Sequence, residues 1–201
     1  MLLEKGMPGL SARRLKTQGW LSSNTALVMM DNVKVPRESL IGEINKGFLP
    51  IMHQFNRERF MGIISVCRMM RMCIEDSVKF ARQRKTFGRR LIDHQVIRHK
   101  IMDMGRMVET TYALLELLAF EMKRGVEPRL ISGHIALLKA HATKCVEVCA
   151  REASQILGGA SYLRHGIGER VERIYREVRV NAIGGGSEEV MIDLASKQSQ
   201  L

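Results

Sequence analysis

The chain has 201 residues, 45% of them apolar, and a formal net charge of +11. This length suits one domain or one and a half, and the apolar content is sufficient to bury a sizeable core. No run of 18 apolar residues occurs, so we expect no membrane span. The first twenty residues lack the apolar block of a secretory signal, which predicts an intracellular protein.

The positive charge favours anionic partners, but it does not by itself indicate nucleic acid. Aromatic residues make up only 5% of the chain, and the lysines and arginines are interleaved with acids. There is no zinc-finger spacing, no RNA-binding aromatic signature and no basic tail, so we expect no nucleic-acid partner. Two explanations stay open: solvated helix surfaces, or a phosphate-bearing ligand such as a nucleotide cofactor.

The four cysteines, Cys67, Cys73, Cys145 and Cys149, lie in apolar, helix-like segments. We predict that they are reduced core residues. His141, Cys145 and Cys149 share one face of a helix by their spacing, but a tetrahedral zinc site needs a fourth ligand. Packing is therefore the preferred interpretation, and we expect no metal.

The N-terminal segment differs from the rest of the chain. Residues 25–35, TALVMMDNVKV, are rich in β-branched and apolar types and end before Pro36, which predicts a strand. A shorter strand is expected near Leu15–Trp20. Two strands are too few for an independent sheet, so we interpret residues 1–45 as the C-terminal end of a β-domain.

From Gly47 onwards, apolar residues recur at helical intervals. They predict long helices over about 47–82, 97–122 and 131–156, a shorter helix around 171–178, and a last helix that follows Ser187, a good N-cap residue. The connections between the long segments are short. The expected fold is therefore mainly α, an antiparallel four-helix-type bundle over residues 46–201 with a short N-terminal β remnant.

Four segments carry a resemblance to a known family: DNVKVPRESLIGEINKGF, QRKTFGRRLIDHQVIRHKIMDM, QILGGASY and YREVRVNAIGGGSEEVMIDLA. In this order and at this spacing they resemble the C-terminal helical domain of the acyl-CoA dehydrogenases, together with its junction to the family's middle β-domain. The resemblance covers essentially all 201 residues. It implies FAD-dependent desaturation of an acyl-CoA thioester between its α and β carbons, transfer of electrons to an electron-transfer flavoprotein, and a homodimer or homotetramer.

The resemblance also implies the residues that contact FAD. Arg84 matches an arginine that reaches the pyrophosphate of a neighbouring subunit's FAD, which suits a planar guanidinium. Further cofactor contacts are implied at Phe87, Gln95, Gln155, Gly158, Gly159, Gly186, Ser187 and Glu189. Taken alone, the glycines after Gln155 could equally be a helix C-cap, and the glycine run before Ser187 has no lysine after it and is no Walker loop.

The catalytic base is the most informative implication. Medium- and short-chain members place a glutamate where this chain has Gly185. Isovaleryl- and long-chain members instead carry it on the first bundle helix, directly before an arginine, and this pattern matches Glu58 and Arg59 in FNRERFMG. We expect Glu58 on the inner face of that helix, with Gly62 one turn later leaving room for a thin ligand. Asn56 and Arg59 match positions near the thioester and pantetheine of the substrate, and Gly185, the small residue expected opposite Glu58, is included among the substrate-binding residues.

The family fold has an N-terminal helical domain and a full β-domain that these 201 residues do not include. We therefore expect the function to belong to a longer protein and the 201 residues alone to be inactive. By resemblance, the compartment is the mitochondrial matrix in a eukaryote or the cytoplasm in a bacterium. The alternative is a non-catalytic helical-bundle interaction module on the same scaffold.

Overall fold

The computed structural model describes residues 1–199, except for the side chains of residues 49 and 128. It divides into two compact units, residues 1–55 and the part that begins at Asn56. The first unit contains a strand pair and the beginning of a helix, and the second is mainly helical.

The N-terminal unit contains an antiparallel strand pair. Strand β1 is Leu10–Arg14 and strand β2 is Ala26–Met30, with Leu10 opposite Met30 and Arg14 opposite Ala26. The strand expected within residues 25–35 is confirmed. The expected partner near Leu15–Trp20 is wrong, because Trp20 has a φ of +51° and leads into a 3₁₀ turn, which no extended strand could accommodate.

The second unit is helical and contains five helices among the described residues. They are α1 Phe48–Gln83, which starts in the N-terminal unit, α2 Gln95–Lys123, α3 Pro128–Leu157, α4 Glu169–Ile183 and α5 Glu188–Gln198. A two-residue hairpin, β3 Lys85–Thr86 with β4 Arg89–Arg90, separates α1 from α2. The mainly α fold with an N-terminal strand pair is confirmed, whereas the hairpin is an addition that the apolar spacing did not indicate.

Helix α3 lies at the centre of the bundle, packed against α2, α4 and α5. On one side its small residues Ala136 and Ala140 form a buried cluster with Met191 and Ala195 of α5. Small side chains allow the two helices to approach closely, which fixes the position of α5 and of the loop before it. The turn into α3 is made by Gly125, whose φ is +74°, followed by a proline in the first helical turn.

The main core joins α1, α2, α3 and α4. Its fully buried side chains include Ile63 and Met70 from α1, Met104 and Leu118 from α2, and Val171 from α4. Each buried aliphatic side chain of this size contributes about 1.5–3 kcal/mol relative to an exposed one. Ion pairs add cross-links at the edges of this core, as where Arg170 of α4 donates to Asp76 of α1.

All four cysteines are free and buried in this core, as predicted. Burial raises the pKa of Cys73 and of Cys149 to about 12, so both stay thiols across the neutral range. The Cys145 Sγ lies 3.4 Å from the His141 Nε2. Within residues 1–199 there is no cluster of three or more His, Cys, Asp or Glu side chains arranged to hold a metal ion.

None of the described helices is both long enough and apolar enough to cross a membrane.

The buried thiols predict how stability depends on alkaline pH. An unfolded cysteine ionises near 9.0, whereas Cys73 and Cys149 ionise near 12 in the folded chain. Between these values the folded state retains protons that the unfolded state has released, so the free energy of unfolding falls as pH rises above about 9.

Urea unfolding of the parent at about pH 8 and about pH 10 is compared with the Cys73→Ala/Cys149→Ala variant. The parent loses roughly 2–3 kcal/mol more than the variant over this interval. An equal loss in both proteins would contradict the prediction.

Candidate functional site

The loop between α4 and α5 begins with three glycines, Gly184, Gly185 and Gly186, and ends at Ser187. Gly185 has a φ of +68° and Gly186 a φ of +107°, both in the left-handed region. A Cβ atom on Gly186 would lie 2.5 Å from the Met191 Cε, the end of a flexible side chain that would have to move, so it is mainly the backbone conformation that favours glycine there. A Cβ on Gly185 would meet the Arg59 Cγ at 3.7 Å, an ordinary contact, so only its backbone conformation disfavours a side chain.

Two cationic side chains hold this loop from opposite helices. From α1, the Arg59 Nε donates to the Gly185 carbonyl at 2.7 Å, and its Nη1 donates to the Asn56 Oδ1 at 3.0 Å. From α3, the Lys139 Nζ donates to the carbonyls of Gly186 at 2.6 Å and Ala182 at 3.1 Å. The loop is thus bound to two helices, through residues that lie 80 positions apart in the sequence, Arg59 and Lys139.

Both cations are buried, with Arg59 9% and Lys139 5% exposed. Burial lowers the pKa of Arg59, and the nearby Glu58 carboxylate partly opposes this effect. Burial likewise lowers the pKa of Lys139, with the Glu188 carboxylate opposing it and Arg59 adding to it. Hydrogen bonds from the cations to main-chain carbonyls compensate part of the desolvation.

The start of α5 is capped as the sequence predicted. Ser187 is the N-cap residue, and its Oγ accepts from the Val190 N–H at 3.5 Å. The Glu188 Oε1 accepts a 2.8 Å hydrogen bond from the Thr143 hydroxyl of α3. The pKa of Glu189 is lowered by its own backbone N–H and by the Ser187 hydroxyl. Both acids are therefore engaged in holding the helix start.

Glu58 does not occupy the inner face of α1, so that expectation is wrong. Its side chain is exposed, and the inward position belongs to Arg59. The reason is helical geometry: the buried stripe runs through Arg59, Ile63 and Val66, and Glu58 lies about 100° around the helix from it. Gly62 shares the exposed edge with Glu58. Glu58 nevertheless precedes the residue that contacts the Gly185 carbonyl.

The hairpin between α1 and α2 presents an exposed aromatic ring. Phe87 and Gly88 form its turn with φ values of +50° and +77°, and the Phe87 side chain is 97% exposed. Positive φ at both turn positions indicates a type I′ hairpin. Such a backbone conformation is costly for a bulky residue, on the order of 1–3 kcal/mol. Arg84, which immediately precedes the hairpin, is also exposed.

His94, which precedes α2, contacts three residues of the hairpin. The Arg89 Nη2 lies 3.1 Å from the His94 Nδ1, and because a guanidinium only donates, that ring nitrogen must accept. The Nε2 then carries the proton and donates to the Thr86 hydroxyl at 3.0 Å. The ring also lies edge-on to Phe87, with centroids 6.3 Å apart. Gln95, predicted to contact the cofactor, directly follows His94 and is exposed.

The third group of predicted residues lies at the end of α3. Gly158 has a φ of +57° and donates its N–H to the Ser154 carbonyl, so the helix C-cap role is confirmed there. Gly159 has no such requirement: a Cβ at this position would meet nothing within 4 Å. Gln155 and both glycines are exposed. Packing within the described chain does not explain why residue 159 is glycine.

The predicted residues thus fall into three groups. Hydrogen bonds bring Asn56, Arg59 and Gly185 together although they come from distant parts of the chain. The hairpin group and the α3-end group are each local in sequence. Lys139 was not singled out from the sequence, although a lysine between the apolar residues of HIALLKAHA is a signal that could have identified it.

Comparison with known proteins agrees with these features. Residues 45–200 match the family model "Acyl-CoA dehydrogenase, C-terminal domain". The chain is 41% identical to Acyl-CoA dehydrogenase AFT10-1 of Alternaria alternata, over 96% of this chain and 46% of that protein. It is 32% identical to the Caffeyl-CoA reductase-Etf complex subunit CarC of Acetobacterium woodii, over 86% of this chain and 44% of that protein.

Among solved structures, a probable acyl-CoA dehydrogenase from Mycobacterium abscessus superimposes with a TM-score of 0.91 at 33% identity, covering 98% of this chain and 51% of that one. The chain spans about half the length of the relatives it matches. Since the family model covers residues 45–200 and the fold agrees, this chain belongs to the acyl-CoA dehydrogenase family and carries its C-terminal domain.

Proposed function

We propose that the gene product containing this chain catalyses FAD-dependent α,β-desaturation of an acyl-CoA thioester, with Glu58 as the base. One observation carries the placement of the base: the hydrogen bond from Arg59 to the Gly185 carbonyl. It brings the turn of α1 that bears Glu58 against the glycine loop. The loop itself offers no acidic side chain, because it consists of three glycines and Ser187.

The proposed domain boundaries follow the same division. Residues 1–45 would form the C-terminal end of a β-domain, and residues 46–201 the helical domain. The exposed strand pair supports the first part, because every residue of β2 is exposed in the described chain. The family match that starts at residue 45 supports the second.

The described residues fit FAD. Arg84 offers an exposed guanidinium with the fork geometry that suits a pyrophosphate, and Phe87 offers an exposed ring in a fixed turn. Gly159 leaves open space at the end of α3, which allows a ligand to approach the backbone closely. The N-terminus of α5, with Gly186, Ser187 and Glu189, is proposed to lie at the adenosine end. When bound, FAD supplies the acceptor for the hydride that leaves the β carbon.

Glu58 is proposed to take the α proton. Its carboxylate forms a bond to that proton, the electron pair of the Cα–H bond becomes the new double bond, and the β hydrogen leaves with its own electron pair. The group needs to lie within about 3–3.5 Å of the α carbon. Its exposure in the described chain leaves the carboxylate free to face a ligand. Asn56 and Arg59 are proposed to lie beside the thioester and pantetheine.

The competing acids are less suited to this role. The Glu188 carboxylate accepts from the Thr143 hydroxyl, and Glu189 is bound by its own backbone N–H and by Ser187. The lowered pKa of Glu189 makes its carboxylate a weaker base. Glu58 lies on the exposed edge of α1, away from any helix start that would hold its carboxylate in this way.

For electron transfer, we propose an electron-transfer flavoprotein as the acceptor. Support comes from CarC, which is named as a subunit of a reductase-Etf complex. The compartment stays a prediction from resemblance.

We also propose a homodimer or homotetramer. Helices α2 and α3 expose apolar side chains that the described bundle does not cover: Met102, Leu117, Phe120, Leu130, Leu137 and Val148. Several exposed apolar side chains on neighbouring helices are typical of an interface.

The first test replaces Glu58 with Gln in the gene product that contains this chain. The amide keeps the size and polarity of the carboxylate but removes the base. Anaerobic mixing with acyl-CoA thioesters is followed by loss of the oxidised flavin absorbance. We expect flavin reduction to slow by roughly 10²–10⁴-fold with FAD still bound.

The matched control is Glu75→Gln, an exposed acid on the same helix, whose surface ion pair with Arg68 contributes little to stability. It should reduce its flavin at the parent rate. Parent-like reduction by the Glu58 variant would sink the assignment. A parent protein that binds no FAD would instead favour the non-catalytic interaction module.

A second test uses the glycine one turn from Glu58. Gly62 lies within α1, and a Cβ added to it would meet nothing within 4 Å; Gly105 has the same surroundings in α2. Alanine at either position should stabilise the chain by roughly 0.5–1 kcal/mol, because glycine weakens a helix interior. Only Gly62→Ala should impair the enzyme, since a methyl in an occupied ligand site costs about 1–3 kcal/mol.

The measurements are thermal unfolding and the KM for acyl-CoA. We expect at least a roughly fivefold rise in KM for Gly62→Ala and no change for Gly105→Ala. The same KM in both variants would show that no ligand passes along this edge of α1.

A third test concerns self-association. Leu137→Arg on α3 and Phe120→Arg on α2 place a charge on the exposed apolar surfaces, which should weaken association by desolvating an unpaired cation. Tyr175→Arg, on α4 and 44% exposed, is the control. Sedimentation velocity at micromolar concentration should show oligomers for the parent and the control, with smaller species for both surface variants. A monomeric parent would refute the proposal.

A further inference from the structure

The lysine that holds the glycine loop is buried, so it does not serve to keep the surface of the protein solvated. Lys139 is 5% exposed on the central helix, and its immediate neighbours Leu138 and Ala140 belong to the core. Burying an ammonium group is unfavourable unless it is well partnered. A buried lysine ammonium therefore indicates specific hydrogen-bond acceptors close to it.

The partners are two main-chain carbonyls, one in the last turn of α4 and one at the last glycine of the loop. Ala182 lies in the last turn of α4, where carbonyls lack an intrahelical partner, and it accepts at 3.1 Å. Gly186 lies directly before the N-cap of α5 and accepts at 2.6 Å. One ammonium thus joins the end of one helix to the beginning of the next and fixes the span of residues between them.

A carboxylate supports this arrangement without entering the loop. Burial lowers the pKa of Lys139, and the Glu188 carboxylate offsets part of that effect. Glu188 is itself held by the Thr143 hydroxyl, which lies one turn after Lys139 on the same helix. Arg59 binds a third carbonyl, that of Gly185, from α1. The path of the loop is thus set from both sides, and its position relative to the turn bearing Glu58 depends on both cations.

We infer that Lys139 is a positioning residue for the reaction, acting through the carbonyls of Ala182 and Gly186 to fix the glycine loop opposite Glu58. This inference rests on the proposed function for its catalytic consequence, but its structural part does not. Lys139 is inferred to touch neither substrate nor cofactor. Its removal should therefore lower turnover more than it weakens substrate binding.

The test compares Lys139→Met with Lys144→Met, an exposed lysine on the same helix. Methionine keeps the apolar stem and removes the ammonium. In the 201-residue chain, the amides of Gly184 and Met191 donate to the carbonyls of Val180 and Ser187 at the two ends of the loop. Their hydrogen exchange should accelerate roughly tenfold or more in the first variant, because the two charge-assisted hydrogen bonds that hold these ends together are lost. Lys144→Met should exchange like the parent, and exchange in the α2 core should be unchanged in both.

In the gene product with FAD bound, Lys139→Met should reduce its flavin roughly 10–100-fold more slowly at saturating acyl-CoA, with KM changed by less than about threefold. Lys139→Gln retains one neutral donor group and should fall between parent and Lys139→Met in both measurements. A graded effect confined to the loop is not expected of a residue that only stabilises the fold.

Parent-like loop exchange, or a flavin reduction rate within about twofold of the parent, in a folded Lys139→Met protein would overturn the inference. If Lys139→Met does not fold, the same criteria apply to Lys139→Gln. If neither variant folds, the residue serves the fold and the inference is also overturned. A parent that reduces no flavin with acyl-CoA would refute the proposed function, whereas the exchange measurement would still decide whether Lys139 orders the loop.

Discussion

The candidate site depends on the clamping of a three-glycine loop by two buried cations. Glycines leave a backbone with many accessible conformations, so a loop of three would not by itself hold one path. Arg59 and Lys139 restrict it by binding the carbonyls of Gly185 and Gly186 from different helices. The core fixes the positions of those helices. The two hydrogen bonds therefore fix the backbone of the glycines, which have no side chains with which to pack.

Charged side chains suit this task because the carbonyls at a helix end carry partial negative charge. A cation at a helix C-terminus contributes about 0.3–1 kcal/mol, rising to about 2 kcal/mol when partly buried. Lys139 meets such an end at Ala182 and extends the same interaction to the loop. The glycines add no side chain to the site, and the proposed base comes from α1 instead. In this proposal, Arg59 holds the loop, and Glu58, which directly precedes it, supplies the acid that the loop lacks.

Helical periodicity predicts most of this fold but not the orientation of individual site residues. The spans of the three long helices follow from apolar spacing, because each buries one continuous face. Glu58 was expected on the inner face, yet its neighbour Arg59 occupies it, because a hydrogen bond to a loop 126 residues away compensates the burial of the guanidinium. Spacing alone cannot reveal such a distant partner. Lys139 escaped notice for the same reason.

Local backbone conformation is the other feature that could not be predicted from the sequence. The hairpin after α1 requires a left-handed phenylalanine at residue 87, which propensity argues against. The strand β1 lies earlier than expected, because Trp20 is left-handed as well. In both places the backbone departs from what the residue type prefers. At Phe87 the departure coincides with a residue that resemblance assigns to the cofactor, which fits the tendency of strained residues to gather at functional sites.

The central proposal is that the base comes from α1, from the residue directly before the arginine that holds the glycine loop. The most direct measurement is a crystal structure of the gene product that contains this chain, with FAD and an unreactive acyl-CoA analogue bound. We expect a Glu58 carboxylate oxygen within about 3–3.5 Å of the α carbon of the analogue. We also expect the hydrogen bonds from Arg59 to Gly185 and from Lys139 to Gly186 to persist. A Glu58 side chain pointing to solvent, with another carboxylate at the α carbon, would contradict the claim.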